Sequence, residues 1–410
     1  MTTPGTARQR VTALVVALVL GASLSGCSGG STKTLTWWTL PDRVGEDALA
    51  KKCSDIADGY RVEVRTLPEL LGDRRGDLIR RLSAGDASID ILTLDSALTA
   101  EFATAGFLTP LPARLTSTTG VVPTAADAAT FRGKLVAVPW WIDPQLLWYR
   151  GAAAEHAGLD TSKPISWDAL LAGADRIRAS VQFDDADGSG VSDWVRGLIA
   201  ESGGNVLEGA GRKPKVGLGG DAGRVAAGLV QFYAASGLGL GPTTGALREF
   251  AGTRGAFLIA RASARTAQDV VGIAPDMRPV RYPVIGSASR SPLAGAALAV
   301  PADSTNPKAA FAAIECLSSA ASQTEIMRNS GRGAARTAAY QDSEARRAVP
   351  YADLLLSAAN EGVNVPSTPY WHLAEKAIRQ TWTPLSSVAA NKTPKDSAAA
   401  VADVVAGGLR

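Results

Sequence analysis

From residue 34 to residue 95 the apolar positions switch repeatedly between two spacings, and this alternation limits the fold more than any other feature of the chain. TLTWWT at 34–39 is a β-rich run closed by Pro41 and Asp42. Residues 46–57 place Leu49, Cys53 and Ile56 at helical spacing, which points Cys53 at a core. Residues 61–67 alternate as a strand, Leu78 and Leu82 mark a second amphipathic helix, and 89–94 read as a buried strand ending at Asp95. Strand and helix taken in turn predict an α/β fold with a mostly parallel sheet, whose ligands sit beyond the carboxyl ends of its strands. Asp95, Trp37 and Trp38 fall at such ends.

Residues 135–150, LVAVPWWIDPQLLWYR, form the next constraint. Two strand-like runs are split at Asp143 and Pro144, as expected of a chain leaving one sheet and entering another. Trp140 and Trp141 set flat aromatic faces beside a carboxylate, the materials of a binding cleft. The competing reading is a buried pair packing a core. For Trp148 and Trp167 the core reading is preferred.

The N-terminus carries Arg8 and Arg10, then an uncharged apolar run at 11–24, the pattern of an export signal too short to span a bilayer comfortably. It ends in Leu24-Ser25-Gly26-Cys27, which looks like a bacterial lipobox, with Cys27 as the lipidated residue after removal of 1–26. Small polar residues 27–33 then make a tether, and acylation supplies the several chains that stable anchoring needs. Removing 1–26 takes away both arginines and leaves 40 basic against 39 acidic residues, so no basic stripe for nucleic acid is expected. With Cys27 lipidated, Cys53 and Cys316 remain as one candidate bridge in an oxidising compartment; two separately buried thiols are the alternative. A bridge closing so long a loop would stabilise by roughly 5 kcal/mol on the chain-entropy account. Only His156 and His372 are present, so a His-based metal site or triad has little to draw on. No cofactor and no metal are expected.

Further along, Ser166 caps a helix carrying Trp167, Leu170, Leu171, Ala174 and Ile177. The acidic loop 184–190 suggests calcium, but with Gly188 at the glycine position of a calcium loop the first and last ligand positions fall on Phe183 and Trp194. A solvated loop is expected instead. GLGGDA at 217–222 lacks a surrounding βαβ unit, and Asp221 reads as the N-cap of a helix at 222–233. Residues 293–300 are a small-residue strand, and 307–317 a helix with Cys316 on the face of Ala309, Ala312 and Ala313. The mature length suits two domains or one large bilobal protein.

Taken in order, TLTWWT, residues 90–95, residues 100–111 (AEFATAGFLTPL), the run from Pro139 to Tyr149, SWDALL at 166–171 and Ser202-Gly203-Gly204 resemble bacterial extracellular solute-binding proteins. These are the lipid-anchored receptors of ABC importers, in the carbohydrate-binding branch. The likeness extends to trehalose-binding lipoproteins of mycobacterial importers through QLLWYR, cysteines in corresponding helices and a Thr-Pro-Tyr segment. It implies a two-lobed, periplasmic-binding-protein-like (type II) α/β fold with a cleft between the lobes and crossovers near 139–145, 281–290 and 331–336. Lobe I would hold 34–139 with 290–332, and lobe II 140–289 with 333–410. Two family features are absent: a Trp downstream of Glu249, and a Gly-x-Pro crossover that here reads Gly331-Arg332-Gly333-Ala334.

The function so implied is capture of a sugar such as trehalose by hinge closure and delivery to ABC permease subunits. The protein would be a monomer held by its lipid on the outer face of the cell membrane, and not an enzyme. By the resemblance, Asp95 matches a strand-end sugar-binding aspartate, Asp143 stands where the relatives carry an asparagine before QLLWYR, and Glu249 matches an acidic ligand-contacting position. Trp140, Trp141, Trp38, Tyr370 and Trp371 complete the candidate ligand set. The rivals are a receptor of the same fold for a glycerophosphodiester or peptide, and a secreted glycoside hydrolase working through two carboxylates.

Overall fold

The computed structural model describes residues 1, 32–41, 45–208 and 214–407. The export-signal run, Cys27 and the tether to residue 31 lie outside the described residues. Strand Lys33–Thr39 lies between Tyr60–Thr66 and Ile91–Asp95, parallel to both. Helices Glu46–Asp55 and Leu71–Ser83 make the two crossovers and bury Leu49, Cys53, Leu78 and Leu82 as their spacing predicts, whereas Ile56 is the C-cap of the first helix and is exposed. Leu293–Ala299 then pairs antiparallel with Ile91–Asp95 on one side and with Val138–Arg150 on the other.

Val138–Arg150 is where the sequence reading is corrected. Its two apolar runs are a single strand of 13 residues, unbroken at Asp143 and Pro144. What changes there is the partner. Val138 to Pro144 pairs with Leu293–Ala299, and Gln145 onward pairs with Gly255–Arg261 and Met277–Val280. A proline has no N–H to give a ladder, so it is tolerated where one ladder hands over to another. The next donor, Gln145 N–H, bonds to the Pro292 carbonyl at 3.1 Å. Ser180–Asp184 and Pro242–Thr243 extend the second side in parallel.

Each side of this crossing strand has its own core. The first lobe buries Leu35, Trp37, Leu94, Trp140, Leu298 and Ile314 together. The second buries Leu147, Trp167, Phe183, Trp194, Tyr233 and Trp382. In it, Trp167 lies flat on Phe183, with ring centroids 5.9 Å apart and planes 6° from parallel. A third cluster joins Ile142, Leu146 and Trp148 of the crossing strand to Met327, Ala334, Tyr340 and Leu355. The preference for core at Trp148 and Trp167 agrees with this packing. Truncating any of these rings to Ala would cost about 3–5 kcal/mol.

Cys53 and Cys316 are bonded, tying helix Glu46–Asp55 to Pro307–Leu317 across 263 residues of sequence. Asp221 is not the N-cap expected of it. Gly220 holds that place, and Asp221 is the first helical residue, paired with Arg224 at 2.9 Å. Among the described residues no helix is long and apolar enough to cross a membrane.

Candidate functional site

A cavity of about 470 Å³ opens between the lobes, walled on one side by the first lobe, on the other by the second, with the crossing strand at its back. From the first lobe come Glu69, Arg74 and Asp95. From the second come Asp184, Asp187, Arg261 and Ser263, and the crossing segments supply Trp141, Asp143 and Arg332.

Asp95 ends strand Ile91–Asp95, as the sequence predicts, and its Oδ1 accepts the Ala97 N–H at 2.9 Å, capping a short 3-10 turn. The cap and the cavity position coexist, because one N–H occupies only part of a carboxylate's acceptor capacity. Burial raises its pKa, with the Arg74 charge pulling the other way. Asp143 is buried deeper. Its Oδ1 accepts the Ser263 N–H at 3.2 Å and its Oδ2 the Ser263 hydroxyl at 2.6 Å, with Arg332 Nε 3.8 Å from Oδ2. Burial pushes its pKa up to about 6 against those bonds and the Arg261 charge.

The two tryptophans part at a bulge: Trp141 is opposite Ala296 and Pro139 opposite Ala297, which leaves Trp140 the extra residue, and the two rings stay 6.4 Å apart at their centroids. Trp141 joins Asp143 on the cavity, with the Arg332 guanidinium 4.5 Å from its ring centroid. Trp140 turns into the first core and meets Trp37 edge-on at 5.3 Å, away from the cavity lining. Trp38 does not line the cavity either; Arg81 covers its ring at 4.5 Å. Glu249 is exposed on helix Ala246–Ala251, whose contribution to the lining is Leu247. Tyr370 packs against the second core, and Trp371 is buried in it.

Trp371 instead borders a neighbouring space of about 300 Å³, also walled from both lobes. Arg75 of the first lobe holds Glu101 with two bonds, at 2.8 and 2.6 Å, and His372 Nδ1 from the second lobe lies 3.5 Å from Glu101 Oε2. The lobes touch here through Leu71 N–H, which donates to the Asp187 carbonyl at 3.2 Å.

The loop expected to be solvated is a wall of the site. Asp187 Oδ2 accepts from Arg261 at 2.8 Å, and its Oδ1 accepts the Ser189 hydroxyl at 2.6 Å. Burial alone would raise its pKa, but the Arg261 charge and the Ser189 bond outweigh it and bring it to about 2. Asp184 goes the other way, to about 6, through burial. Asp185 accepts the Gly190 N–H, so the acidic residues are engaged with backbone, serine and guanidinium. Among the described residues no group of His, Cys, Asp and Glu is arranged to hold a metal ion.

Sequence reasoning missed Arg74, Arg261, Arg332 and Ser263, and placed Asp187 only in a solvated loop. Arg332 alone had a signal: it stands inside the departure Gly331-Arg332-Gly333-Ala334. Burial lowers its pKa to about 10, still charged at neutral pH.

The profile described as bacterial extracellular solute-binding protein matches residues 47–351. The backbone is similar to the GacH receptor of Streptomyces glaucescens, solved unliganded and with acarbose. That likeness has a TM-score of 0.77 and 20% identity over 91% of this chain and 97% of that one. It is also similar to maltose-bound MalE3 of T. maritima, with a TM-score of 0.77 and 22% identity over 91% and 99%. A third likeness is to an ABC transporter solute-binding protein of Thermotoga lettingae bound with α-D-tagatose, with a TM-score of 0.77 and 20% identity over 91% and 100%. At these identities the likeness is one of fold, and it fits the two-lobed expectation.

Proposed function

The chain belongs to the bacterial extracellular solute-binding proteins, and from that premise we propose that it captures a sugar between its lobes and hands it to an ABC importer. The observation that carries this reading is the interlobe cavity, with carboxylates drawn from both lobes and from the strand they share. Its 470 Å³ falls within the 300–1,000 Å³ or so typical of small-molecule sites. A carboxylate accepting a sugar hydroxyl contributes about 1.5–3 kcal/mol, and two or three such bonds together with a sugar ring packed on Trp141 supply the binding energy in this reading. Asp95 and Asp143 are the acceptors in this reading, with Trp141 beside them. Asp184 and Asp187 join them.

The charge of the wall favours a neutral ligand over a phosphodiester. Glu69, Asp95, Asp143, Asp184 and Asp187 outnumber Arg74, Arg261 and Arg332, and Arg261 is already held by Asp187 and Asp193. An anion would meet excess like charge. Trehalose is the disaccharide this reading takes, on the sequence likeness. The rest of the reading follows the family: a lipid on Cys27, a monomer on the outer face of the membrane, no catalysis, and lobes divided as 34–139 with 290–332 and 140–289 with 333–410.

Calorimetric titration of the chain from Ser28 with trehalose, maltose, glycerophosphocholine and a short peptide tests it. Saturable heat with a sugar alone supports the proposal. Heat only with glycerophosphocholine or peptide, or turnover of a chromogenic glycoside, overturns it.

A further inference from the structure

A chain of buried charges leads out of the cavity wall to the place where the lobes join. Arg261, on the wall, donates to Asp187 at 2.8 Å and reaches Asp193 Oδ2 at 3.4 Å. Asp193 Oδ1 accepts from Arg196 at 2.7 Å. Arg196 then donates to the carbonyls of Leu293, at 3.3 Å, and Val363. Those two carbonyls belong to segments that close on each other at the crossing: Leu293 N–H bonds to Val363 O at 3.0 Å, and Val363 N–H to Ser291 O at 2.8 Å. Asp193 and Arg196 are 5% and 2% exposed, so neither charge is there for solubility.

The backbone keeps the same appointment. Helix Gly190–Glu201 carries both residues, and a Cβ on its Gly197 would stand 2.8 Å from Pro292 Cγ and 2.9 Å from the Tyr282 hydroxyl. The helix therefore lies hard against the second crossing segment. A buried ion pair is weak evidence for stability, because well-packed apolar residues often serve as well or better, and fixing a register is its best-attested use.

We propose that Asp193 and Arg196 are positioning residues that register the second lobe's cavity wall against the crossing segments, so that closure carries Asp187 and Arg261 into place over the ligand. This rests on the reading that the site works by closure. Arg196 is suited to the task because its planar guanidinium addresses Val363 from one nitrogen and Asp193 and Leu293 from the other in a fixed geometry, whereas a lysine gathers its donors on a single rotatable nitrogen.

The test measures interlobe distance without ligand. Nitroxides on Arg80→Cys in the first lobe and Lys163→Cys in the second, both exposed, report the distance in the chain from Ser28. It is compared among the parent, Arg196→Lys, Arg196→Met and Asp193→Asn. All three variants are expected to broaden the distance distribution while near-ultraviolet circular dichroism stays native, and to weaken any sugar bound by the parent at least tenfold. A distribution identical to the parent's in Arg196→Lys and Asp193→Asn overturns the proposal, as does a parental distribution in Arg196→Met, which would show that packing alone sets the register. Because the distance needs no ligand, a silent sugar panel would count against the proposed function and leave this result standing.

Discussion

Asp143, on the strand both lobes share, accepts two hydrogen bonds from one residue of the second lobe: the Ser263 N–H at 3.2 Å and the Ser263 hydroxyl at 2.6 Å. The carboxylate proposed to bind ligand thus also fastens the turn that follows strand Gly255–Arg261. The two roles are separable by mutation.

Asp143→Ala removes both acceptors from Ser263 and takes a negative charge from beside Arg332. It is expected to cost about 2–3 kcal/mol in denaturant unfolding and to weaken sugar binding at least tenfold. Ser263→Ala keeps the N–H bond and frees only Oδ2. It should cost about 1 kcal/mol and change affinity much less than Asp143→Ala. Equal affinity losses in the two variants would make Asp143 a purely structural residue.

Glu375 gives a pH signature. Burial, then the charges of Asp193 and Asp187, raise its pKa from 4.5 to about 8. The native state therefore holds a proton that the unfolded chain has released between these values, so this group's contribution to stability falls as pH rises from about 4.5 to about 8. Glu375→Gln is expected to match the parent near pH 5 and to exceed it by about 3 kcal/mol at pH 8.5. Denaturant midpoints at the two pH values check this. A variant equally stable at both relative to the parent contradicts it.

The Cys53–Cys316 bond predicts no titratable thiol in the oxidised chain from Ser28 and two after reduction under denaturant. Cys53→Ser with Cys316→Ser should lower stability by about 3–5 kcal/mol, on the order given by loop closure in the unfolded chain. Free thiols in the oxidised protein would contradict the bond.

How much of this could be read from the sequence depends on whether the signal was local. The strand–helix alternation, Asp95 at a strand end and Cys53 on a buried helix face follow from periodicity, and periodicity is local. The break read at Asp143 and Pro144 was a change of partner, which a strand's own residues do not reveal. Trp140 and Trp141 do not act as a matched pair of cleft faces, because a bulge makes Trp140 the extra residue between Pro139 and Trp141, and that register belongs to the pairing with Leu293–Ala299 and not to the run itself. Asp187 resembled a solvated loop residue because its partner, Arg261, lies 74 positions away. Separation in sequence likewise hid Arg74, Arg261 and Ser263 as members of one cavity.

The central claim is that a sugar binds between the lobes against Asp95 and Asp143. Intrinsic tryptophan fluorescence of the chain from Ser28, titrated with trehalose and other small oligosaccharides, tests it most directly when Asp95→Ala is run beside the parent. Trp141 on the cavity wall supplies the reporter. A saturable change with one sugar in the parent, at least tenfold weaker in Asp95→Ala, is the predicted result. No saturable change with any sugar, or the same affinity in both proteins, would contradict it.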